Sequence, residues 1–370
     1  MFTKEVLLAL ETLNNHGYEA YVVGGAVRDF LLCKEIHDYD ITTSALPEQI
    51  EAVFKDYKVF NTNKRFGTIT VIINHLPLEI TTYRKDEEYN DHRKPNNLTF
   101  TSSLNEDVIR RDFTINCLLM NKDMQVIDLV NGKADLDNHL IRAVGNPIKR
   151  FEEDALRILR AIRFKAQLNF EIDQETDEAL FKQAKLLDYI SSERKRDELL
   201  KILTFNNLKV LSDYQIILNR FIPYDNLNPL IAKTNNIYIK LYLLNPNFNY
   251  RKLHLPNDDI KIINEIKHYD STNLIETMAN AKHLDILFEY FKLIDEVDYH
   301  QFYLDNKDYI VNMQTLNING NDLENLGLKG PSIGKMFKLV LKAIHNKVIH
   351  NDYDEIINYT KVKIHEENIL

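Results

Sequence analysis

Cysteine is scarce in this sequence, and tryptophan is absent. Only Cys33 and Cys117 occur among 370 residues, each within an apolar run. Two such thiols supply neither a disulfide framework nor a cysteine-based zinc site. The composition therefore favours a reducing compartment, the cytoplasm, while the missing tryptophan carries little chemical information.

Long apolar runs are also missing. No stretch approaches the roughly 20 apolar residues that a membrane-spanning helix needs. The N-terminal segment places Lys4, Glu5 and Glu11 among apolar residues at amphipathic helical spacing, and it is too charged for a signal peptide. We therefore expect an untargeted, soluble protein without contact to a membrane.

An excess of positive charge is absent as well, because the formal net charge is -9 at pH 7. Proteins that coat nucleic acid indiscriminately need a clustered basic surface, since counterion release drives their binding. The composition excludes that class. Between residues 141 and 165, however, seven basic side chains stand against three acidic ones. This predicts a local basic stripe on an acidic molecule.

Helix and strand patterns alternate over the first 145 or so residues. They predict helices over 3–16 and from Pro47 through Phe54, strands over 18–23 and 38–42, and a helix opening after a double glycine. Two β-rich runs, 66–73 and 78–83, separated by His75-Leu76-Pro77, predict a hairpin. From Phe151 onward the strand signals nearly vanish, so we expect helices to the end of the chain.

An acidic pair, Asp38 and Asp40, lies on one of these predicted strands. Carboxylates at i and i+2 on a strand project from the same face, so the two should converge. Mg²⁺ is commonly held by one or two carboxylates with water and substrate phosphates. Glu79 is a candidate third carboxylate, and its burial between Leu78 and Ile80 would be costly without a partner cation. Taken alone, such a short acidic run more often marks a polar turn.

A double glycine upstream changes that interpretation. Gly24 and Gly25 follow an apolar strand, where glycine permits a tight turn and close approach of backbone N–H groups to phosphate. Arg28, in the first turn of the following helix, adds positive charge near the helix N-terminus. Along the chain, a phosphate-binding glycine turn is thus followed by a metal-binding pair of aspartates. This sequence of features predicts nucleotidyl transfer.

Two further motifs follow these. They are Arg110-Arg111-Asp112-Phe113-Thr114-Ile115-Asn116-Cys117 and Glu153-Asp154-Ala155-Leu156-Arg157. In this order the motifs resemble the class II tRNA nucleotidyltransferases, the CCA-adding enzymes of the tRNA nucleotidyltransferase/poly(A) polymerase family. The resemblance covers about residues 18–205, where Ser192-Glu193-Arg194 and Asp197-Glu198-Leu199 extend it. Asn319-Gly320-Asn321-Asp322-Leu323 resembles the family's tail.

The resemblance implies an elongated, multi-domain architecture. An α+β nucleotidyltransferase head with a small mixed β-sheet and helices would occupy residues 1–145. An all-α neck for base recognition would follow at 146–205, a helical body at 206–310, and a helical, tRNA-binding tail at 311–370.

The resemblance also implies roles for individual residues. Asp38 and Asp40 would bind the catalytic Mg²⁺, with Glu79 completing the carboxylate set. Asp154 and Arg157 would recognise the Watson–Crick edges of CTP and ATP, so that the protein itself acts as template. The implied nucleotide-binding set is Gly25, Arg28, Arg111, Asp112, Asn116, Asp154, Arg157, Arg160 and Arg163.

Helical geometry divides the basic residues of this last motif. Asp154 and Arg157 would lie about 60° apart on one helix face, as an acceptor and donor pair. The same geometry puts Arg163 about 180° from Asp154, so the series cannot all face one base. Arg160 is assigned to the nucleotide site. Arg163 is left open between nucleotide or tRNA contact and an ion pair inside the neck.

Several alternatives remain open. The polar segment 84–101 contains Asp91-His92-Arg93-Lys94-Pro95, similar to the flexible loop of full CCA-adding enzymes, although a merely solvated loop is equally typical. The implied partners are tRNA, ATP and CTP, and a homodimer is left open. The rivals are the A-adding member of a split CC-adding and A-adding pair, a bacterial poly(A) polymerase, and a catalytically silent RNA-binding protein. An acidic chain without a basic extension disfavours the polymerase.

Overall fold

The computed structural model describes residues 2–86, 98–268, 272–295 and 299–367. They form two compact units, Met1–Pro223 and Tyr224–Leu370. The first unit combines a mixed β-sheet with helices, and the second is helical. This is the predicted fold class, a mixed head followed by a mostly helical remainder. The finer division at residues 145, 205 and 310 stays a prediction.

Eleven strands lie in the described part of the first unit. They are β1 Ala20–Val23, β2 Asp40–Thr43, β3 Lys58–Phe60, β4 Thr68–Ile73, β5 Leu76–Thr82, β6 Arg84–Asp86, β7 Leu98–Phe100, β8 Leu119–Met120, β9 Val126–Ile127, β10 Leu140–Ile141 and β11 Glu171–Ile172. Seven of them form one sheet in the order β3-β4-β5-β2-β1-β8-β9, in which β2 and β5 are parallel and the other neighbours antiparallel. Strands β6 and β7 form a separate ribbon, and β10 and β11 a short parallel pair.

The helices of the first unit cover the sheet and continue beyond it. They are α1 Lys4–Asn15, α2 Gly25–Leu31, α3 Pro47–Val53, α4 Leu104–Ile109, α5 Gly132–Asp137, α6 Pro147–Glu153, α7 Leu156–Leu168, α8 Gln174–Gln183, α9 Ser192–Leu203, α10 Leu208–Asp213 and α11 Gln215–Leu218. The first helix shows why the amphipathic pattern works. The Thr3 side chain accepts a hydrogen bond from the Val6 N–H, and Val6, Ala9, Leu10 and Leu13 are buried.

The predicted hairpin is confirmed, with a shift of its turn. Asn74 and His75 both adopt positive φ, at 46° and 70°, as a tight two-residue turn between antiparallel strands requires. Strand β5 therefore begins at Leu76, earlier than predicted. The two ends of the polar segment 84–101 are strands β6 and β7, which pair with each other. Its Asp91-His92-Arg93-Lys94-Pro95 run lies outside the described residues.

The prediction that a strand carries Asp38 is wrong. Strand β2 begins at Asp40, and Asp38 lies two residues before it in irregular chain. The i, i+2 argument for convergence therefore does not apply to this pair. The second departure from prediction is β11, a two-residue strand after Phe151 that pairs with β10.

The second unit has its own core. Its helices are α12 Ile237–Leu244, α13 Asn257–Lys267, α14 Leu274–Asn280, α15 Leu284–Asp295, α16 Tyr299–Asn306, α17 Gly320–Asn325, α18 Pro331–His345 and α19 Tyr353–Glu367. Buried Leu323, Met336, Val340 and Ile356 belong to one apolar cluster of α17, α18 and α19. Throughout the described residues, no helix is both long enough and apolar enough to span a membrane.

Candidate active site

Two carboxylates stand side by side at one edge of the site. Parallel pairing of β2 with β5 sets Asp40 directly beside Glu79. Desolvation and the charges of Glu79 and Asp38 raise the pKa of Asp40, with Arg111 opposing them. The expected burial of Glu79 is wrong. Alternation along β5 buries Leu78 and Ile80 on one face and leaves Glu79 exposed on the other.

These carboxylates have the donor chemistry that a hard divalent cation requires. Oxygen ligands from one or two carboxylates are typical of Mg²⁺ sites, which keep water and substrate phosphate in the remaining positions. After desolvation, the charge of Glu79 contributes most to the raised pKa of Asp40, and a bound cation would favour the ionised carboxylate. Among the described residues, no three His, Cys, Asp or Glu side chains are gathered closely enough to form a complete metal site. The metal-binding roles of Asp38 and Asp40 stay predictions.

The glycine turn lies against this acidic edge. Gly24 precedes α2 with φ of 77° and ψ of -134°, a conformation that a residue with a side chain rarely adopts. A Cβ at Gly24 would lie 3.9 Å from Asp40 Oδ2, and one at Gly25 would lie 3.6 Å from Arg28 Nη2. The backbone of the turn therefore faces both the carboxylate and the first arginine of the site.

Arg28 is fixed before any ligand binds. Its Nε and Nη2 donate to Asp29 Oδ1 and Oδ2 at 2.8 and 2.9 Å, and its Nη1 donates to Asn116 Oδ1 at 2.8 Å. The side chain is only 4% exposed, and its guanidinium carbon lies 5.4 Å from the centre of the Phe164 ring. Asn116 thus positions Arg28, in addition to lining the cleft described below.

Sequence reasoning missed Asp107, which holds the double-arginine motif. Its Oδ1 accepts from Arg110 Nη2 at 2.6 Å, and its Oδ2 accepts from Arg111 Nη2 at 2.8 Å. Burial alone would raise the pKa of Asp107, but the two arginines outweigh it and lower the pKa to about 2. The only signal in the sequence is the spacing of i+3 and i+4 from Asp107 to these arginines.

Asp112 is also engaged by the protein itself. Its Oδ2 accepts from Arg160 Nε at 2.7 Å, and its Oδ1 accepts from the Phe113 N–H at 2.8 Å and from Asn116 Nδ2 at 3.3 Å. This carboxylate joins the double-arginine motif to helix α7. Its placement supports a positioning role for Asp112 at the wall of the cleft.

The expectation that Asp154 and Arg157 share one helix face is wrong. Helix α6 ends at Glu153, and Asp154 is its C-cap with extended backbone, at φ of -142° and ψ of 103°. Helix α7 then begins at Leu156. Angles counted along a continuous helix do not cross this break, so the predicted separation of Arg163 from Asp154 fails for the same reason.

The partner of Asp154 is Arg194, on helix α9. Arg194 Nη2 donates to Asp154 Oδ2 at 3.0 Å, while Asp154 Oδ1 accepts from the Leu156 N–H at 3.1 Å. Arg157 has other partners. It donates to Glu153 Oε2 at 2.7 Å and to the backbone oxygen of Arg110 at 2.7 Å.

Helix α7 presents three arginines, at 157, 160 and 163, to the same cleft. The guanidinium carbons of Arg28, Arg160 and Arg163 lie 5.4, 5.4 and 4.4 Å from the centre of the Phe164 ring. Arg163 Nε lies 2.9 Å from Glu198 Oε2. Arg163 therefore forms the ion pair considered for it and lines the cleft as well.

A single cleft of about 400 Å³ gathers these groups, a volume suited to one small ligand. Its lining includes Asp40 and the whole predicted nucleotide-binding set, namely Gly25, Arg28, Arg111, Asp112, Asn116, Asp154, Arg157, Arg160 and Arg163. Gly24, Arg110, Phe164 and Gln167 complete the lining. Asp38 and Glu79 lie outside it. A larger cavity, of about 590 Å³, lies in the second unit and contains none of these motifs.

Two known protein families match separate segments of the first unit. The family described as the poly A polymerase head domain matches residues 20–142. The family described as a probable RNA and SrmB-binding site of polymerase A matches residues 169–210.

Individual relatives extend the match along the chain. The CCA-adding enzyme of Oceanobacillus iheyensis is 37% identical over 369 residues, which are 92% of this chain and 91% of the relative. That of Lactobacillus helveticus is 50% identical over 193 residues, 52% of this chain and 48% of the relative. The structure of the Bacillus stearothermophilus CCA-adding enzyme in complex with CTP superposes with a TM-score of 0.80 at 28% identity, covering 99% of this chain and 98% of that one. The chain belongs to the family of CCA-adding enzymes.

Proposed function

We propose that this protein is a transferase that adds the 3′-terminal CCA sequence to tRNA from CTP and ATP, releasing pyrophosphate. The observation that carries the proposal is the single cleft in which the nine predicted nucleotide-binding residues stand beside Asp40. The near full-length similarity to CCA-adding enzymes supports the same activity.

The arginines of the cleft are suited to bind a triphosphate. Arg28 lies beside the glycine turn, so its positive charge and the backbone N–H groups of α2 can act on the same phosphates. A divalent cation, which we expect to be Mg²⁺, would be held by Asp38 and Asp40, and would lower the pKa of the tRNA 3′-hydroxyl and neutralise the leaving pyrophosphate. Glu79 adds negative charge next to Asp40.

Asp154 and Arg157 are suited to select the base. Cytosine and adenine both present an amino donor next to a ring nitrogen acceptor, whereas uracil and guanine present a carbonyl oxygen at the corresponding position. A carboxylate that accepts from the amino group and a guanidinium that donates to the ring nitrogen suit both C and A. Because Asp154 is bonded to Arg194 and Arg157 to Glu153, base binding would exchange or share these partners.

We expect the protein to work in the cytoplasm on tRNA. Its two cysteines are both free, Cys33 exposed and Cys117 buried, which suits a reducing compartment. Exposed Lys335, Lys338 and Lys342 along α18 are candidates for phosphate contact in the second unit.

Transfer assays on three RNA substrates separate the proposal from its rivals. The substrates are tRNA lacking CCA, tRNA ending in CC, and a short unstructured RNA, each with CTP and ATP supplied singly or together with Mg²⁺. Complete CCA addition to the first is expected. Addition only to tRNA ending in CC would indicate an A-adding enzyme, long A tracts a poly(A) polymerase, and inactivity a binding protein.

A matched pair of variants tests the acidic edge. Asp40→Asn should abolish transfer, because it removes the charge of a proposed ligand of the cation. The fold should stay intact, because Asp40 is exposed at the first position of β2. Asp123→Asn serves as the control, since Asp123 is an exposed carboxylate paired with Lys122 away from the cleft. Transfer by the Asp40→Asn protein at the wild-type rate would contradict the assignment of Asp40.

A further inference from the structure

We infer that Asp107 is a positioning residue that sets the distance between the arginines of the cleft and the carboxylate-bearing strand. The inference rests on the proposed function and extends it to a residue outside the family motifs described above. Asp107 itself does not line the cleft.

The Asp107 side chain contacts the two arginines of the double-arginine motif, strand β2 and the backbone of Arg84. Its side chain is fully buried, at 0% exposure, on helix α4. Besides Arg110 and Arg111, it accepts from Thr42 Oγ1 at 3.2 Å and from the Arg84 N–H at 3.3 Å. A carboxylate has about four acceptor positions, so these donors occupy all of its capacity.

The contacts to the arginines restrict side chains that would otherwise be mobile. Arg110 donates to Asp107 through both Nε and Nη2, and Arg111 through Nη2. Fixing a long side chain in advance removes an entropic cost from ligand binding. Arg111 lines the cleft, and its bond to Asp107 is made through Nη2. Asp107 therefore fixes the Arg111 guanidinium at the wall of the cleft.

The contact to Thr42 links the arginines to the acidic edge. Thr42 follows Asp40 by two residues on β2, so both side chains lie on the same face of the strand. The path Asp40–Thr42–Asp107–Arg111 is short and buried at its centre, because Thr42 and Asp107 are both 0% exposed. In-line transfer needs the phosphate and the attacking hydroxyl aligned to within about 1 Å, and a misplacement of that size costs on the order of 100-fold in rate.

A purely electrostatic role for Asp107 makes the opposite prediction. The carboxylate offsets positive charge beside the cleft, so its removal would strengthen the attraction for a triphosphate. If Asp107 positions the arginines, its removal weakens nucleotide binding despite the gain in net positive charge. Nucleotide affinity of Asp107→Asn therefore distinguishes the two roles by sign.

The experiment uses Asp107→Asn, Thr42→Val and Thr42→Ser in the full chain. We expect Asp107→Asn to weaken the Kd for both CTP and ATP about tenfold, measured by calorimetry. We expect Thr42→Val to lower kcat at least tenfold with the KM for nucleotide nearly unchanged, and Thr42→Ser, which keeps the hydroxyl, to restore it. Thr82→Val is the control, because Thr82 is equally buried but its hydroxyl bonds to the Ala45 backbone oxygen.

The outcomes separate this inference from the proposed function. Unchanged or tighter nucleotide binding by folded Asp107→Asn would overturn the positioning role, and so would a loss of kcat in Thr82→Val equal to that in Thr42→Val. If the wild-type protein transfers no nucleotide, the proposed function fails. The calorimetric comparison then still decides whether Asp107 positions the arginines.

Discussion

At the scale of single residues, the site pairs its arginines with acidic partners. Arg28 is held by Asp29, Arg160 by Asp112, and Arg163 by Glu198. Ordering these side chains during folding means that less conformational freedom is lost when a nucleotide binds. The acidic partners also explain how so many positive charges share one small cleft without mutual repulsion dominating.

The Asp112–Arg160 pair predicts a dependence of stability on pH. Burial alone would raise the pKa of Asp112, but Arg160 and the Phe113 N–H lower it to about 2, below the value of about 3.9 for an unfolded chain. The ionised carboxylate therefore stabilises the fold, on the order of 2 kcal/mol, fully above about pH 4, and this contribution is lost as the pH falls toward 2. Asp112→Asn should lower the free energy of unfolding at pH 7, and its difference from wild type should shrink at pH 3. Urea unfolding at both pH values measures this, and an equal difference at both would refute it.

Gly132 predicts a local effect of backbone crowding. A Cβ at this first residue of α5 would lie 2.2 Å from the Thr114 backbone oxygen. Thr114 begins the turn that carries Asn116, the partner of Arg28. We expect Gly132→Ala to cost about 1–3 kcal/mol of unfolding free energy, as overpacking does, and to weaken nucleotide binding.

A matched substitution in another helix controls for the general effect of alanine. A methyl group placed on the Cα of Gly334, in α18, would have no atom within 4 Å, so Gly334→Ala should stabilise by about 0.5–1 kcal/mol through helix propensity. Thermal unfolding monitored by circular dichroism measures both variants. A similar stabilisation by Gly132→Ala would show that the turn yields to the added methyl group.

At the scale of elements, helix α9 supports the end of the cleft that we propose to select the base. Its Arg194 donates to Asp154, and its Glu198 lies 2.9 Å from Arg163. Asp154 belongs to neither α6 nor α7, so its side chain is not oriented by a continuous helix. The bond from Arg194 on α9 orients the Asp154 carboxylate instead. We therefore expect Arg194→Ala to relax discrimination against UTP about tenfold while leaving transfer measurable.

The neighbouring Arg196→Ala is the control for that substitution. Arg196 pairs with Asp197 on the same helix and does not line the cleft. The ratio of kcat/KM for CTP and UTP on tRNA lacking CCA measures the effect. A ratio for Arg194→Ala equal to the wild-type value would show that the proposed selection of the base by Asp154 does not depend on α9.

Element patterns were predictable from sequence where local signals agree with tertiary packing. Helix α1 and the β4–β5 hairpin follow apolar spacing and turn residues, and the structure confirms both. The break at Asp154 has no proline or glycine to mark it, so local pattern extends a helix through it. The exposure of Glu79 was predictable from alternation along its strand. The spacing from Asp107 to Arg110 and Arg111 is visible in the sequence. The contacts of Asp107 with Thr42 and of Arg194 with Asp154 join residues far apart along the chain, and a single sequence does not reveal them.

At the scale of the whole molecule, the basic stripe predicted on an acidic protein is mostly turned inward. Arg157, Arg160 and Arg163 line the cleft, and Arg157 is only 8% exposed. Arg142 is held by Asp135 and Asp173. Positive charge in this segment is therefore available chiefly to a ligand that enters the cleft, which agrees with a nucleotide-binding role and a net negative charge.

The complete cleft lies within the first compact unit, and this predicts the behaviour of a fragment. Every residue that lines it falls within Met1–Pro223, which has its own buried core. A fragment of residues 1–223 should bind CTP and ATP with Kd values within about threefold of the full chain. Its KM for tRNA should rise at least tenfold, because the exposed lysines of α18 and the rest of the second unit are removed. Calorimetry with each nucleotide and transfer at increasing tRNA concentration measure the two effects. Loss of nucleotide binding by a fragment with a cooperative thermal transition would mean that the second unit supports the cleft itself.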